Sequence, residues 1–378
     1  GDNYETRKWL QPIEGKIRHS AQTKVLPAKY QSMSVNVQRS LQYFVWGILP
    51  KKILGNVEQY PVASKPVINE VQPKRTIVLI MGETLRAQQL SILGYQENNT
   101  TPLLAKIEGL YSTSIFSAGT MTKTSVSALV NRMEFPGVTT QIANQDNCLF
   151  RLAKENGFKT SFYSAQNNSQ MKILETVICL KYIDDYRDRD DYAKGSSIHD
   201  DVLMDQLPDI DFNENNLIVL HQRGSHTPYN YQYPPSFKAF DSEYDNTVLY
   251  TDFLLNKLIN TFESTQNNEL HFIFTSDHGE LLGEHGRQGH GWFFEEVYKV
   301  PFLYKEHNVD NSRYDAAKKV LSHYDVSNFI TSLLGYDVEI GGEGTREIYV
   351  NGSDIDALAG HLKLTVKNGE VINEELKN

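Results

Sequence analysis

Cysteine is scarce in this chain of 378 residues, which contains only Cys148 and Cys179. Two cysteines cannot build a disulfide framework or a four-cysteine zinc site, so they form either one bridge or two free buried thiols. The sequence also lacks any run of eighteen apolar residues, and we therefore expect none of its helices to span a membrane. The formal net charge of -10 argues against nucleic acid as the main partner, because phosphate binding needs a basic surface.

The N-terminus lacks both an initiating methionine and a signal peptide, since the chain begins Gly1-Asp2-Asn3. We therefore expect an excised part of a longer protein whose remaining part holds a membrane anchor. The chain contains enough apolar residues for a hydrophobic core, because hydrophobic residues make up 40% and aromatic residues 11% of it. The length fits either two average domains or one large α/β domain with an appendage.

Residues 1–73 differ from the rest in their scattered prolines and abundant Lys, Arg, Gln and Tyr. Two amphipathic stretches stand out, one around Lys8-Trp9-Leu10 and one at 40–49, which Pro50-Lys51-Lys52 follows. An aromatic apolar stretch that ends in lysines can lie in a membrane interface, and it can equally form a helix packed on the main domain. We predict a connector with amphipathic helices at 1–73, following a missing membrane domain, and a catalytic domain at 74–378.

From residue 74 onwards, apolar runs alternate with amphipathic stretches. The apolar runs predict strands at 76–81, 111–117, 158–165, 217–221, 270–274, 301–304, 348–350 and 362–364. The amphipathic pattern predicts helices at 122–132, 146–157, 245–262 and 326–334, with Asp146 or Asn147 as the cap of the second. Strands that alternate with helices predict an α/β fold with a mostly parallel central sheet and helices on both faces.

Polar residues follow several predicted strands at the edge where parallel strands have their carboxyl ends. They are Glu83, a threonine-rich cluster at 120–124, the turn Asn167-Asn168-Ser169, His226 and the pair Asp277-His278. Each has an ordinary explanation on its own, such as a solvated strand end, a helix cap or a structural hydrogen bond. Ligands bind outside the carboxyl ends of the strands in such folds, so five polar endings on one edge predict a single metal-centred site.

The charges of these residues suggest how the site is built. Glu83, Asp277 and His278 supply two carboxylates and an imidazole, which leaves one position open on a tetrahedral zinc. Thr122 can fill that position, because its hydroxyl lies where a helix begins and where the helix dipole and the metal both favour an alkoxide. An activated alkoxide beside Zn²⁺ suits attack on the phosphorus or sulfur of an ester.

Several segments together resemble the bacterial phosphoethanolamine transferases, and the resemblance extends from about Lys74 to Asn378. The segments that carry it lie at 81–86, 119–126 and 276–280 and occur in the family's order. Further matches are Asn167-Asn168-Ser169 with Lys172, Gly224-Ser225-His226, Tyr244-Asp245-Asn246-Thr247 and Gly289-His290-Gly291.

This resemblance implies an inner-membrane enzyme whose periplasmic domain has the alkaline phosphatase/sulfatase fold. It implies that zinc, held by Glu83, Asp277 and His278, activates Thr122 as the nucleophile. The residues that it places at the phosphate group or at an additional zinc are Asn168, Ser169, Lys172, His226 and His290. The expected donor is phosphatidylethanolamine and the expected acceptor is lipid A or the lipopolysaccharide core, with the domain acting as a monomer.

The chain differs from the family at two positions, and two other threonines are alternatives to Thr122 as the nucleophile. Family members active on lipid A often carry cysteines where this chain has Ala118 and Ala128. Thr120 and Thr124 lie two residues either side of Thr122, which is favoured because its spacing from Gly119 matches the family.

Three other functions remain as alternatives. A phosphoglycerol transferase of the same fold would use similar ligands, usually with Mn²⁺, although the Asn-Asn-Ser turn with Lys172 favours phosphoethanolamine. A sulfatase is disfavoured because the sequence has no Cys/Ser-x-Pro-x-Arg segment to supply a formylglycine. A non-catalytic lipid-binding relative should have lost the nucleophile or a ligand, and this chain retains both.

Overall fold

The computed structural model describes residues 60–265, 268–357 and 359–377. Its strands are β1 (Val67–Ile68), β2 (Arg75–Gly82), β3 (Tyr111–Phe116), β4 (Lys159–Ser164), β5 (Asp185–Arg187), β6 (Asn216–His221), β7 (Glu269–Ser276), β8 (Leu281–Leu282), β9 (Gln288–Gly289), β10 (Lys299–His307), β11 (Tyr336–Asp337), β12 (Thr345–Asn351), β13 (His361–Lys367) and β14 (Glu370–Lys377). Its α-helices are α1 (Thr122–Val130), α2 (Thr139–Asn144), α3 (Leu149–Glu155), α4 (Asn168–Glu175), α5 (Glu243–Thr265), α6 (Glu295–Tyr298), α7 (Tyr314–Ala317) and α8 (His323–Leu333). Short 3-10 helices lie at Ala87–Gln89, Ser91–Leu93, Leu104–Lys106, Leu180–Tyr182, Arg189–Asp191, Asp200–Asp209, Tyr229–Tyr231, Pro235–Phe237 and Glu284–Gly286.

The central sheet has seven strands in the order β3-β10-β7-β2-β6-β4-β5. Its neighbouring strands are parallel except for β10, which runs antiparallel to both β3 and β7. The predicted α/β fold with a mostly parallel sheet is therefore confirmed. Each strand predicted from an apolar run is also found, with small shifts at its ends.

The core lies on both faces of β2, every residue of which is buried. Ile77, Leu79 and Met81 face the helices α1, α3 and α8, whereas Val78 and Ile80 face α5. Side chains alternate between the two faces of a strand, so a continuous apolar run serves both layers. Each fully buried aliphatic side chain stabilises the fold by about 1.5–3 kcal/mol, which makes β2 a rigid platform for the residues that follow it.

Two helix starts differ from the prediction because side-chain hydrogen bonds decide them. Helix α8 begins at His323, three residues before the predicted start, since Ser322 and Asp325 form a capping box. Asn167 and Gln170 form a second capping box, so the predicted Asn167-Asn168-Ser169 turn is in fact the beginning of α4.

The predicted cap of α3 was also wrong. This helix begins at Leu149 with Cys148 in the cap position and no side-chain cap. Asn147 does not serve as a cap because its side chain accepts a hydrogen bond from Arg132 and donates one to the Ala63 carbonyl, 2.8 Å away.

The described part of the predicted connector packs against the main domain. Strand β1 pairs with β11, and the Tyr60 ring stacks on Phe135 with 4.8 Å between ring centroids. The amphipathic stretches predicted around Lys8-Trp9-Leu10 and at 40–49 lie outside the described residues. Within the described ranges, no helix combines the length and apolar character needed to cross a bilayer.

A disulfide joins Cys148, at the start of α3, to Cys179, which follows α4. The two Cα atoms lie 6.6 Å apart and both residues are buried. Of the two alternatives left open by the sequence, the structure therefore shows the bridge. Ala118 and Ala128, the two positions at which we expected a departure from the family, belong to a small apolar cluster with Met133 and Val138.

Candidate active site

The predicted metal ligands follow two adjacent strands of the central sheet. Gly82, the last residue of β2, pairs with Ser276, the last residue of β7, so Glu83 and Asp277 leave the sheet side by side. The ligand atoms of Glu83, Asp277 and His278 all lie within 4.8 Å of one another, and all three residues are buried. The structure thus brings together the three residues that the sequence predicts as one cluster.

Backbone groups hold Asp277 and His278 in place. The Asp277 Oδ1 atom accepts hydrogen bonds from the Thr84 amide at 2.9 Å and the His278 amide at 2.7 Å. The His278 Nδ1 atom donates to the Gly279 carbonyl at 2.9 Å, which leaves Nε2 as the free acceptor of the ring. That Nε2 lies 3.3 Å from the Asp277 Oδ2 atom and 3.7 Å from the Glu83 Oε1 atom.

Gly224 lets a neighbouring loop pass closely over Glu83. Its φ of +58° lies in the left-handed region, and a Cβ atom there would be 2.5 Å from the Glu83 carbonyl oxygen. The Ser225 amide then donates to the same carbonyl at 2.9 Å. The Gly224-Ser225-His226 segment is therefore held against the cluster by its backbone, which explains the need for glycine.

The electrostatics of the cluster fit a divalent cation. Burial and the Glu83 carboxylate raise the pKa of Asp277 well above its ordinary value, and Asp277 Oδ2 is buried without a hydrogen-bond partner. Among the residues that the structure describes, no Lys or Arg side chain pairs with either carboxylate. Two buried carboxylates and an imidazole, aimed at one point, are the donor set that zinc accepts at sites with an open position.

Thr122 is the threonine that the fold brings to this cluster. Its Oγ1 lies 3.2 Å and 3.3 Å from the two Glu83 carboxylate oxygens and 3.2 Å from the His278 Nε2 atom. Thr122 is also the first residue of α1, where the helix dipole favours negative charge. The Thr124 hydroxyl instead donates to the Met121 carbonyl at 3.0 Å, and the Thr120 hydroxyl is buried without a described partner.

Two further predicted imidazoles flank the cluster. The His290 ring centroid lies 4.4 Å from that of His278 and 5.9 Å from that of His226. The His290 Nδ1 atom is 3.4 Å from the Glu280 carboxylate, and the His226 Nδ1 atom donates to the Thr227 carbonyl at 2.6 Å. Both rings are therefore oriented by their surroundings and lie next to the candidate metal site.

A cavity of about 500 Å³ opens beside Thr122. Its lining combines polar and cationic groups with an apolar wall, and consists of Glu83, Met121, Thr122, Lys123, Gln166, Gln170, Ile173, Leu174, Arg223, His226, Thr227, Pro228, Gln232 and Ser353. Lys123 and Arg223 were not predicted as site residues, although Lys123 lies within the threonine-rich cluster at 120–124 and Arg223 directly precedes Gly224-Ser225-His226. Among the described residues, the Lys123 ammonium has no hydrogen-bond or ion-pair partner, so the cavity carries available positive charge.

The predicted substrate contacts on α4 lie beside this cavity and are not among its lining residues. The Asn168 amide group donates to Asp188 at 3.1 Å, and the Ser169 hydroxyl donates to Asn167 at 2.6 Å. Lys172 is exposed on the same helix. Their contact with substrate stays a prediction.

Two buried histidines below the site were not identified from the sequence as functional. His323 donates from Nε2 to the Ser276 carbonyl at 2.9 Å and accepts from the Ala118 amide at 3.2 Å, so it links the end of β7 to the loop before Thr122. Burial lowers the pKa of His323 to about 3. His221, the last residue of β6, lies on the other side of the cluster, and burial lowers its pKa to about 4. Both therefore act as neutral hydrogen-bonding groups.

The fold and site together define an α/β protein of the sulfatase type, and comparison with known proteins agrees. A family model described as Sulfatase matches residues 75–336, so the chain belongs to the Sulfatase family. The resemblance to phosphoethanolamine transferases is also confirmed by individual relatives.

Among curated relatives, phosphoethanolamine transferase EptA of Escherichia coli K12 is 27% identical over 301 residues, which cover 71% of this chain and 54% of the relative. Phosphatidylethanolamine transferase Mcr-1 of Escherichia coli is 28% identical over 271 residues, covering 64% and 49%. The chain thus spans about half the length of the curated relatives it matches.

Solved structures support the same fold. The C-terminal periplasmic domain of phosphoethanolamine transferase EptC from Campylobacter jejuni is 22% identical with a TM-score of 0.58, covering 72% of this chain and 92% of that one. The C-terminal periplasmic domain of EcEptC from Escherichia coli, in complex with Zn, is 20% identical with a TM-score of 0.60, covering 76% and 93%.

Proposed function

We propose that this chain transfers phosphoethanolamine from phosphatidylethanolamine to lipid A or to the lipopolysaccharide core, with zinc and through a phosphothreonine at Thr122. The observation that carries the proposal is the Thr122 hydroxyl, which lies within 3.3 Å of both Glu83 carboxylate oxygens and 3.2 Å from the His278 Nε2 atom. The names of the relatives supply the transferred group and the acceptor class: phosphoethanolamine, and Kdo(2)-lipid A for one relative of Escherichia coli K12.

Glu83, Asp277 and His278 would hold the zinc ion. A bound Zn²⁺ lowers the pKa of an adjacent oxygen nucleophile and stabilises negative charge on a phosphoryl group. The chain fixes this site, because all three residues are buried and backbone hydrogen bonds hold Asp277 and His278 in place.

In the first step, the Thr122 hydroxyl passes its proton to a neutral imidazole and its Oγ1 atom forms a bond to the phosphorus of phosphatidylethanolamine, while the bond from phosphorus to the diacylglycerol oxygen breaks. The departing oxygen takes a proton from an imidazolium, and diacylglycerol leaves. His226 and His290 are the candidates for this acid, because both rings lie beside the cluster and His226 also lines the cavity.

In the second step, an oxygen of the acceptor attacks the same phosphorus and the Thr122 oxygen departs. The acceptor loses its proton to a neutral imidazole, and the departing threonine oxygen takes a proton from the resulting imidazolium, which restores the hydroxyl for the next cycle. Lys123 and Arg223 place positive charge in the cavity, which suits a phosphodiester donor and a phosphorylated glycolipid acceptor.

A lipid donor also implies that the domain acts next to a membrane. We propose that it acts on the periplasmic side of the bacterial inner membrane, attached through a membrane domain that precedes the present residues. The periplasmic origin of related domains and the membrane-protein structure of a relative from Neisseria meningitidis support this location.

The proposal is tested by incubating the purified chain with labelled phosphatidylethanolamine and measuring the intact mass. We expect a mass increase of one phosphoethanolamine group on Thr122, its loss in Thr122→Ala, and its retention in Thr124→Ala. Label on the Thr122→Ala variant would refute the assignment of Thr122 as the nucleophile. Label taken from phosphatidylglycerol and not from phosphatidylethanolamine would instead identify a phosphoglycerol transferase.

A further inference from the structure

The side-chain amide of Gln166 lies directly beneath the candidate metal site. Gln166 follows β4 and is 8% exposed. Its Nε2 atom lies 3.1 Å from the Glu83 Oε2 atom, 3.2 Å from the Gln222 carbonyl oxygen and 3.3 Å from the His221 Nε2 atom. Three acceptors from the ends of two strands, β2 and β6, therefore converge on one amide nitrogen.

This environment fixes the orientation of the amide. In the opposite orientation, the Gln166 side-chain oxygen would face the Glu83 carboxylate and the Gln222 carbonyl oxygen. None of these oxygens can donate a hydrogen bond to another. Because the Gln166 nitrogen donates, His221 Nε2 accepts and its proton resides on Nδ1, which donates to the Ser164 hydroxyl at 3.0 Å. The Ser164 hydroxyl donates in turn to the Met171 sulfur at 3.2 Å, so the chain of hydrogen bonds ends in the core.

Glu83 differs from the other two predicted ligands in how it is held. Asp277 and His278 are oriented by backbone amides and a backbone carbonyl. The Glu83 carboxylate instead depends on side chains, because Oε1 accepts from the Thr84 hydroxyl at 2.8 Å and Oε2 accepts from Gln166. One of the three ligands therefore relies on donors that a substitution can remove.

We infer that Gln166 is a positioning residue that holds the Glu83 carboxylate in its metal-binding orientation and so sets the affinity of the metal site. The inference rests on the proposed zinc site. Groups that hydrogen-bond to metal ligands typically contribute 10–100-fold to metal affinity. Gln166 reaches this role from β4, whereas Glu83 follows β2 and Gln222 follows β6, so it also ties the ends of three neighbouring strands together.

The test compares Gln166→Met with a matched control in the full chain. Methionine keeps the length and volume of the side chain but cannot donate to Glu83. The control is Gln141→Met, because Gln141 is 2% exposed and its amide nitrogen also donates to two acceptors, the carbonyls of Asn131 and Arg132 at 2.7 Å each. Gln141 holds a loop on another part of the domain and makes no contact with the metal cluster.

Zinc affinity is measured by competition with a chromophoric chelator after the resident metal has been removed, and stability is measured by thermal unfolding. We expect Gln166→Met to raise the Kd for Zn²⁺ about 10–100-fold. Gln141→Met should lower the melting temperature and leave that Kd unchanged. Should Gln166→Met fail to fold, Gln166→Leu provides a second apolar replacement with the same expected loss of affinity.

Three outcomes would overturn the inference. Wild-type zinc affinity in Gln166→Met would show that Glu83 needs no such support, while the proposed zinc site would stand. An equal loss of affinity in Gln141→Met would show a general effect of lost stability. Absence of zinc binding by the wild-type chain would overturn the zinc proposal and this inference together.

Discussion

The two ends of the strand pair β2 and β7 carry the same kinds of residue and use them differently. At the amino ends, Arg75 pairs in register with Glu269, and its guanidinium donates to Glu269 at 2.6 Å and to Glu70 at 2.8 Å. At the carboxyl ends, Glu83 and Asp277 lie together without an arginine or lysine partner among the described residues. One end contains its own cation, whereas the other is the site proposed to bind a metal ion.

The pKa values of Glu269 and Asp277 differ accordingly, although His278 also lowers the pKa of Glu83 against the effect of burial. His271, 3.6 Å away, and Arg75 lower the pKa of Glu269 to about 2 against the opposing effect of burial. Burial and Glu83 raise the pKa of Asp277 instead. Buried carboxylates thus do not mark a functional site by themselves, whereas buried carboxylates without a resident cation identify a candidate site.

The largest expected effect is at the carboxyl ends. We expect Asp277→Asn to abolish stoichiometric zinc and to lower transfer activity more than about a hundredfold, because loss of a ligand should exceed the effect of losing a group that only supports a ligand. In zinc-free buffer the same variant should be more stable than wild type by about 1 kcal/mol or more, since it removes one of two repelling buried carboxylates.

Mass spectrometry would measure the zinc content of the variant, and unfolding in urea would measure its stability in zinc-free buffer. A variant that kept its zinc, or a zinc-free variant that was less stable than zinc-free wild type, would contradict the account of this cluster. Full occupancy of the wild-type protein by Mn²⁺ would show that the cluster selects a different cation.

A smaller and opposite effect is expected at the amino ends. Arg75→Met should destabilise the fold by about 2–3 kcal/mol, because it removes the arginine partner of Glu269 and leaves only His271 beside that carboxylate. This is below the value for a fully buried pair, since the Glu70 side chain is 44% exposed. Zinc affinity should not change, and Arg75→Met combined with Glu269→Gln should recover part of the stability. Denaturant unfolding and zinc titration of both variants would measure this, and weakened zinc binding would show that the two ends are not independent.

The smallest effect is expected in the cavity. Lys123→Ala should lower kcat/KM for the lipid donor about two- to fivefold, because a partly exposed charge contact contributes about 1 kcal/mol or less. Stability and zinc affinity should remain those of wild type. Lys172→Ala, assayed in parallel, would show which lysine contacts the substrate, and a larger loss there would favour the residue predicted from the sequence.

The sequence predicts the residues that directly follow an apolar run, but it does not predict contacts between residues from different strands. The buried strands could be predicted because parallel strands leave continuous apolar runs, and Glu83, Asp277 and His278 because polar residues follow such runs directly. Gln166 and Arg223 could not, because their contacts depend on which strands become neighbours. The start of α8 was missed because the capping box at Ser322 outweighed the apolar pattern on which the prediction relied.

The bridge between Cys148 and Cys179 makes the wall of this cavity depend on the redox state of the compartment that contains the protein. Cys179 follows α4, the helix that contributes Gln170, Ile173 and Leu174 to the cavity wall, and the bridge fastens that segment to the start of α3. Such bonds persist in oxidising compartments and are reduced in the cytosol. Protein produced in a reducing cytosol would therefore have the same residues at its candidate metal site but a cavity wall without its disulfide, so the host compartment becomes a variable in any assay of the proposed lipid transfer.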